Sequence, residues 1–130
     1  MNAGLALLFW SLVLFEGKHV LCEFVLPTPS LKRNKGVYGH PGGLLHAGAH
    51  AISSLPAILL LNRSEVLVPA ILAAEFVLRY HIDWLRLAIV RRRALTYDDS
   101  LYWRLFGANQ FLHQTIYAIV LALLVRATGL

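Results

Sequence analysis

Hydrophobic residues recur in long blocks along the chain, at about residues 3–26, 44–61, 66–90 and 101–126. Most of these blocks approach or exceed the roughly 20 residues that an α-helix needs to cross the hydrocarbon core of a bilayer. The segments between them are rich in proline, glycine or charge, and such segments end helices. The pattern therefore predicts an all-α fold, a four-helix transmembrane bundle with a buried polar, His-rich centre, formed by a single integral membrane domain over residues 1–130.

Composition agrees with a membrane protein. Hydrophobic residues make up 58% of the chain and charged residues 15%, against about 25% charged residues in ordinary soluble domains. Mean hydropathy is +0.61. A single cysteine, Cys22, excludes a disulfide framework within the chain and a Cys-rich metal motif. The lysines and arginines cluster in two loops rather than along one face, so the sequence argues against a nucleic-acid partner.

The first block has two interpretations, a cleaved signal peptide or a retained helix. No lysine or arginine precedes it, and no small-x-small cleavage site follows it. We therefore expect a retained transmembrane helix.

Basic residues predict the orientation of the helices. Residues 27–43 and the loop that begins at Arg91 hold six of the seven lysines and arginines outside the four blocks, whereas the short turn at 62–65 holds one arginine and one glutamate. By the positive-inside rule, the first and third loops are predicted to be cytoplasmic and both termini to lie outside. Prolines and glycines exclude a continuous helix over 27–43. This segment is a candidate lid or re-entrant loop.

The third block carries charges at helical spacing. Glu75, Arg79, Asp83 and Arg86 follow the positions i, i+4, i+8 and i+11, so they share one helix face and alternate in sign. A central Asp, Lys or Arg costs roughly 2.5–3.5 kcal/mol on insertion scales, so this face is expected to point into the protein with its charges paired. Taken alone, it has the pattern of a structural ion-pair ladder.

Each block also offers polar residues that bind metals. Imidazole and carboxylate groups are ordinary ligands of zinc, iron and manganese, and helical bundles collect them from facing helices. The candidate metal ligands are His19, His46, His50, His81 and His113. The candidate catalytic carboxylates are Glu23, Glu75 and Asp83. The candidate supporting side chains are Arg79, Arg86, Asn109 and Gln110. The sequence thus predicts a divalent transition metal, such as zinc, iron or manganese.

The same residues have structural interpretations. A histidine in an apolar helix is often a hydrogen-bonded packing residue, and His19 with Glu23 fits an interhelical contact equally well. His81 lies about 160° around the helix from Asp83 at 100° per residue, so both cannot point at one centre.

Several segments resemble one family. KHVLCEFVL at 18–26, KGVYGHPGGLLHAGAH at 35–50, the stretch 75–86 and NQFLHQ at 109–114 are similar, in this order, to the domain-of-unknown-function 3307 family of small polytopic membrane proteins from bacteria and phages. The resemblance implies four-helix membrane architecture in a bacterial inner membrane, a shared polar centre and no established activity. The residues that match the family's polar positions are His19, His46, His50, Asp83, Gln110 and His113.

The chain also departs from the family pattern. Glu23 stands where an aspartate is usual, which keeps the carboxylate, and Pro27 stands where a glutamine is common. Asn109 replaces a common aspartate, and Arg79 stands where a histidine can occur. The loss of a carboxylate and the gain of a cation favour one metal, or none, over a two-metal site.

These observations lead to one predicted function and two alternatives. The first is a metal-dependent, hydrolase-like membrane protein that acts on a membrane-embedded, lipid-like substrate. The alternatives are a small ion, proton or metal transporter, with the buried groups as a relay, and a structural or host-interaction membrane protein of phage origin. The predicted partner is the lipid bilayer, and the oligomeric state stays open.

Overall fold

A computed structural model describes residues 2–130, which fold into helices and turns without a β-strand among them. The elements in chain order are α1 (Ala3–Val20), a π-helical turn (Leu21–Val25), α2 (Pro29–Asn34), α3 (Pro41–Ser53), α4 (Leu55–Leu59), α5 (Leu67–Arg92) and α6 (Ser100–Thr128). The prediction of an all-α fold is confirmed. The predicted first, third and fourth blocks correspond to α1 with its π turn, α5 and α6, with ends shifted by a residue or two.

The predicted second helix, 44–61, is not continuous in the structure, where a break at Ser54 divides it into α3 and α4. Pro56 has no N–H to donate, and its ring clashes with the carbonyl one turn earlier, so an α-helix cannot run through it unchanged. The Ser54 N–H bonds to the Ala51 carbonyl at 3.1 Å, a tighter turn than an α-helix makes. The carbonyl of His50 is thereby free to accept from side chains.

The segment 27–43 contains the short helix α2. Thr28 caps this helix, because its hydroxyl accepts from a backbone N–H three residues on at 3.3 Å. Gly36 then lies so close to α5 that an added Cβ would stand 2.8 Å from the Leu87 Cβ. This close approach accompanies the burial of Lys35, which is 3% exposed.

The helices alternate in direction. Helix α5 packs against α3 and α6, and α1 packs against α4 and α6. The two ends of the chain meet, since a Cβ at Gly4 would lie 2.8 Å from the Leu130 side chain. Elsewhere, Arg91 donates to the Gly36 carbonyl at 3.4 Å. The first basic loop and the basic end of α5 therefore meet in one place.

The interior divides into two layers. We call the first the apolar layer; its members are Phe15, Ala57, Ile58, Leu61, Val68, Ile71, Tyr117, Val120, Leu121 and Leu124. We call the second the polar layer; its members are Lys18, His19, Glu23, Lys35, His46, His50, Glu75, Arg79, Asp83, Asn109 and His113. Helices α1 and α5 run from the apolar to the polar layer, and α3, α4 and α6 run the other way.

The outer surface is also apolar. Two helical stretches, Ala3–Val25 and Ser100–Thr128, are long and apolar enough to cross a membrane. Only 28% and 22% of their most apolar windows are buried within the protein. Large side chains such as Trp10 and Phe111 point outward.

Candidate metal centre

Three buried side chains converge where the π turn that follows α1 packs beside α3. His46 and His50 lie one turn apart on α3, and Glu23 faces both of them from the π turn. The Glu23 Oε2 atom is 3.0 Å from His46 Nε2 and 3.3 Å from His50 Nε2. One ligand atom from each residue lies within 4.8 Å of the others. Two imidazoles and one carboxylate form the ligand set of a well-known type of catalytic zinc site.

The π turn determines which way Glu23 points. The Leu26 N–H bonds to the Leu21 carbonyl at 2.8 Å, five residues back, so this turn is wider than the rest of α1. Such single π turns are frequent at functional sites. Here the turn directs Glu23 toward α3, whereas His19, one turn earlier, faces α6.

Lys35 lies among the same ligand atoms. Its ammonium nitrogen is 2.9 Å from Glu23 Oε1, 3.1 Å from His46 Nε2 and 4.0 Å from Asp83 Oδ2. The donor set therefore fits a divalent metal, but the lysine competes for the same place. A metal ion at this group requires Lys35 to withdraw.

Asp83 stands beside the group with one oxygen committed and one without a partner. Its Oδ1 accepts from the Asn109 amide at 2.9 Å and lies 2.9 Å from His113 Nε2. Its Oδ2 is 3.6 Å from His46 Nε2 and has no hydrogen-bond partner within residues 2–130. His113, predicted as a ligand, thus lies outside the three-residue group and orients Asp83 instead.

His19 also lies outside the group, on the side of α6. Its ring nitrogens are 2.7 Å from Gln110 Oε1 and 3.0 Å from the Tyr117 hydroxyl. Arg79 donates to the same hydroxyl at 2.5 Å, and its other terminal nitrogen is 3.4 Å from His50 Nε2. The guanidinium therefore connects the His19 side of the polar layer to the candidate metal centre.

Glu75, predicted as a catalytic carboxylate, is engaged in a buried ion pair. It accepts from the Lys18 ammonium, and the Ser54 hydroxyl donates to its other oxygen at 2.6 Å. Lys18 also donates to the carbonyl of His50 at 2.9 Å. That carbonyl is the one left free by the helix break, so the break and the ion pair are parts of one arrangement.

The charges on α5 share a face as predicted but do not form a ladder along the helix. Glu75, Arg79 and Asp83 are buried, yet their partners come from α1, α3 and α6. No salt bridge joins two of them in the part of the chain that the structure describes. The predicted intrahelical pairing is thus replaced by contacts between helices.

The buried charges balance. The charged side chains buried in the polar layer are three cations and three carboxylates: Lys18, Lys35, Arg79, Glu23, Glu75 and Asp83.

His81 lies apart from this layer. It is exposed, with its Nε2 3.0 Å from the Tyr38 hydroxyl and its Nδ1 2.7 Å from the Val77 carbonyl. Its angular distance from Asp83 on α5 places it on the opposite face. This position corrects its inclusion among the candidate ligands.

Four residues that contact histidines or carboxylates of the polar layer were not among the predicted site residues: Lys18, Lys35, Ser54 and Tyr117. Lys18 could have been found, since any ionisable residue inside a membrane-length apolar block is a candidate for a functional role. Tyr117 follows His113 by one helical turn, which places both on one face. Lys35 had no such signal, because its basic loop predicts topology rather than a buried position.

Comparison of the chain with protein families, curated proteins and solved structures finds no match. The resemblance to the domain-of-unknown-function 3307 family stays a prediction.

Proposed function

We propose that the protein is a multi-pass membrane protein, a four-helix transmembrane bundle that binds one divalent transition metal at Glu23, His46 and His50. We further propose that it acts as a hydrolase on a membrane-embedded substrate. The observation that supports this proposal is the convergence of three buried ligand atoms within 4.8 Å. In this bundle α3 and α4 together form one membrane crossing.

The distribution of apolar surface supports the membrane placement. A helix this apolar in the core of a soluble protein would be mostly buried. In α1 with its π turn and in α6, only about a quarter of the most apolar window is buried. The six charged groups of the polar layer lie inside, and each has a partner of opposite charge within 4.0 Å, as hydrocarbon surroundings require. Both basic segments meet at one end of the bundle, which is consistent with a cytoplasmic location of that end. The two chain termini lie next to each other, which is consistent with their location on the opposite side of the membrane.

The roles of the three carboxylates differ in this proposal. Zinc held by two imidazoles and a carboxylate supplies an activated water for hydrolysis. Glu23 is a ligand, and Glu75 is neutralised by Lys18. The Oδ2 of Asp83 lies beside the centre without a hydrogen-bond partner among the described residues, so Asp83 is the residue placed to accept a proton. His113 and Asn109 hold its other oxygen and so fix its orientation.

Metal content of detergent-purified protein tests the proposal. We expect about one zinc, iron or manganese ion per chain by inductively coupled plasma mass spectrometry, as for a preformed site. The His46→Ala/His50→Ala double variant should lose this metal. The matched control is His81→Ala, which removes an exposed histidine outside the centre and should retain it.

The possible results separate the interpretations. A folded wild type that neither contains nor takes up any of these metals would refute the metal site. A double variant that no longer folds would indicate a structural centre, as expected of an interaction protein. Circular dichroism and gel filtration of each variant distinguish these results.

A proton transporter is the second candidate. The observation that favours it is the continuous set of polar contacts from Lys35 through Glu23 and Arg79 to His19. Against it, the apolar layer lies between this network and the ends of the chain, and its Phe15 is fully buried. A pH-dependent proton flux in liposomes, lost in His46→Ala/His50→Ala, would favour the transporter over the hydrolase.

A further inference from the structure

A second candidate site adjoins the metal centre on the side of the basic loops. A cavity of about 560 Å³ lies between the first basic loop, the second half of α5, the segment 95–97 and the start of α6. Its polar lining comes mainly from Lys32, Arg33, Lys35 and Arg86, with Glu23 as part of its wall. We call it the basic cavity.

The charge of the basic cavity is strongly positive. Four cationic side chains line it, against the single carboxylate of Glu23. That carboxylate already bonds to Lys35 and His46. Lys32 and Arg33 are exposed, and neither forms an ion pair with any described residue. The basic cavity thus has cationic groups available for an anion.

Arg86 gives the clearest sign of a missing partner. Its Nε and Nη1 atoms are buried, and neither has a hydrogen-bond partner among residues 2–130. A buried donor left unsatisfied is costly, and more so when the group is charged. Its guanidinium carbon lies 5.5 Å from the centre of the Phe106 ring, a contact that helps to fix the side chain. A guanidinium can bind two oxygens of one phosphate, and at Nε and Nη1 of Arg86 this requires the side chain to move, because both atoms are covered.

The rest of the lining is apolar. Phe24, Leu87, Val90 and Phe106 supply hydrocarbon walls beside the cations. Phe24 belongs to an apolar surface at the exit of the π turn and is 51% exposed. A ligand with an anionic head and a hydrocarbon tail matches both parts of this lining.

We propose that the basic cavity binds the phosphate group of an amphiphile, with Arg86 as its anchor and Lys32 and Arg33 at its rim. The phosphate site itself requires no metal. Its role as the substrate site rests on the proposed function, since Glu23 belongs both to the wall of the basic cavity and to the candidate metal centre.

Binding to chelator-treated protein in a maltoside detergent tests this proposal separately from the metal. The probes are dihexanoyl phosphatidic acid, inorganic phosphate and dihexanoylglycerol, which has the same tails without phosphate. We expect phosphatidic acid to bind at least ten times more tightly than dihexanoylglycerol, as followed by calorimetry. Arg86→Met should weaken this binding at least tenfold. The matched control, Arg92→Met, removes an exposed arginine of α5 outside the basic cavity and should bind as the wild type does.

The probes also separate two sources of phosphate. Inorganic phosphate that binds as tightly as phosphatidic acid and competes with it would support a site for free phosphate. Tighter binding of the lipid would support a headgroup site.

Three results would overturn the proposal. These are equal binding of phosphatidic acid and dihexanoylglycerol, equal losses in Arg86→Met and Arg92→Met, and no binding at all. If Arg86→Met does not fold, the double variant Lys32→Gln/Arg33→Gln, whose side chains are exposed, takes its place. Unchanged phosphatidic acid binding by that variant would also refute the site.

Discussion

The apolar layer and the polar layer are formed by the same helices, yet their side chains meet different requirements. In the apolar layer contacts are non-directional, and a residue of similar volume can replace another at small cost. In the polar layer each charge needs a partner at a defined position, since an isolated buried charge is very costly. Lys18, one helical turn after the fully buried Phe15, shows how abruptly the requirement changes along α1.

This difference assigns distinct contributions to the two layers. If lipid surrounds the bundle, burying an apolar side chain between helices yields little from water exclusion, and close packing holds the helices together. The polar layer then fixes which helices face one another, because its ion pairs and hydrogen bonds form in one register only. Variants that alter one layer at a time separate these two contributions.

The largest effect is expected from an unpaired charge in the polar layer. Glu75→Ala leaves the Lys18 ammonium buried without its carboxylate, and removing one partner of a buried pair costs about 3–5 kcal/mol. The free energy of unfolding in detergent, measured by circular dichroism, should fall by this amount. Lys18→Met/Glu75→Leu replaces both partners with apolar groups and should recover most of the loss. A single variant within about 1 kcal/mol of wild type would contradict the assigned role.

Truncating a side chain of the apolar layer should lower the free energy of unfolding somewhat less, and it should leave the metal content unchanged. Leu124 is fully buried, and Leu124→Ala is expected to lower the free energy of unfolding by about 2–5 kcal/mol through lost contacts and a cavity. Leu124→Met keeps the volume and should cost less than about 1.5 kcal/mol. Metal content should be unchanged in both. Metal loss in a folded Leu124→Ala protein would show that the layers are not independent.

Removing the competing lysine should strengthen metal binding. Lys35→Met takes away an ammonium that lies 2.9 Å from Glu23 Oε1. We expect zinc affinity, measured by competition with a chromophoric chelator, to rise at least about tenfold, or about 1.4 kcal/mol. Lys32→Met, which removes an exposed charge of the same loop, should change it little. Weaker zinc binding in Lys35→Met would mean that the lysine supports the centre instead of opposing it.

The smallest effect is the difference between two buried serines, each of which donates a hydrogen bond to a residue of one layer. Ser54 donates to the Glu75 carboxylate at 2.6 Å, and Ser11 donates to the Ala57 carbonyl at 2.9 Å. Hydrogen bonds to charged groups contribute about 1.5–3 kcal/mol and neutral ones about 0.5–1.5 kcal/mol. Ser54→Ala should therefore lower the free energy of unfolding by about 1 kcal/mol more than Ser11→Ala. Equal losses would remove the distinction between the layers at the level of single hydrogen bonds.

Much of the fold could be predicted because it depends on local pattern. The length and composition of each apolar block predict a helix whatever its neighbours are. The break at Ser54 was predictable as well, since Pro56 acts within its own turn. The bounds of α2 were harder, because a single Thr28 cap and one turn of helix give a weak pattern among prolines and glycines.

The candidate site could be predicted only in part. The spacing of His46 and His50 places both on one face of α3, and the structure brings them together. Which carboxylate joins them depends on how α1 is rotated, and the π turn decides this for Glu23. Lys35 reaches the centre because of the path of its loop, which depends on the contact between Gly36 and α5. Neither feature is encoded in the spacing of the residues themselves.

The polar layer buries equal numbers of cations and carboxylates, so any ion that enters it adds a net charge that must be compensated. A divalent cation that arrived alone would add two uncompensated positive charges in surroundings of low polarity, where such charges are expensive. The withdrawal of Lys35 offsets only one of these charges, and an anion such as a phosphate in the basic cavity would offset the other. Binding free energies that are linked in this way are reciprocal. We expect zinc to tighten phosphate binding by the same factor by which phosphate tightens zinc binding.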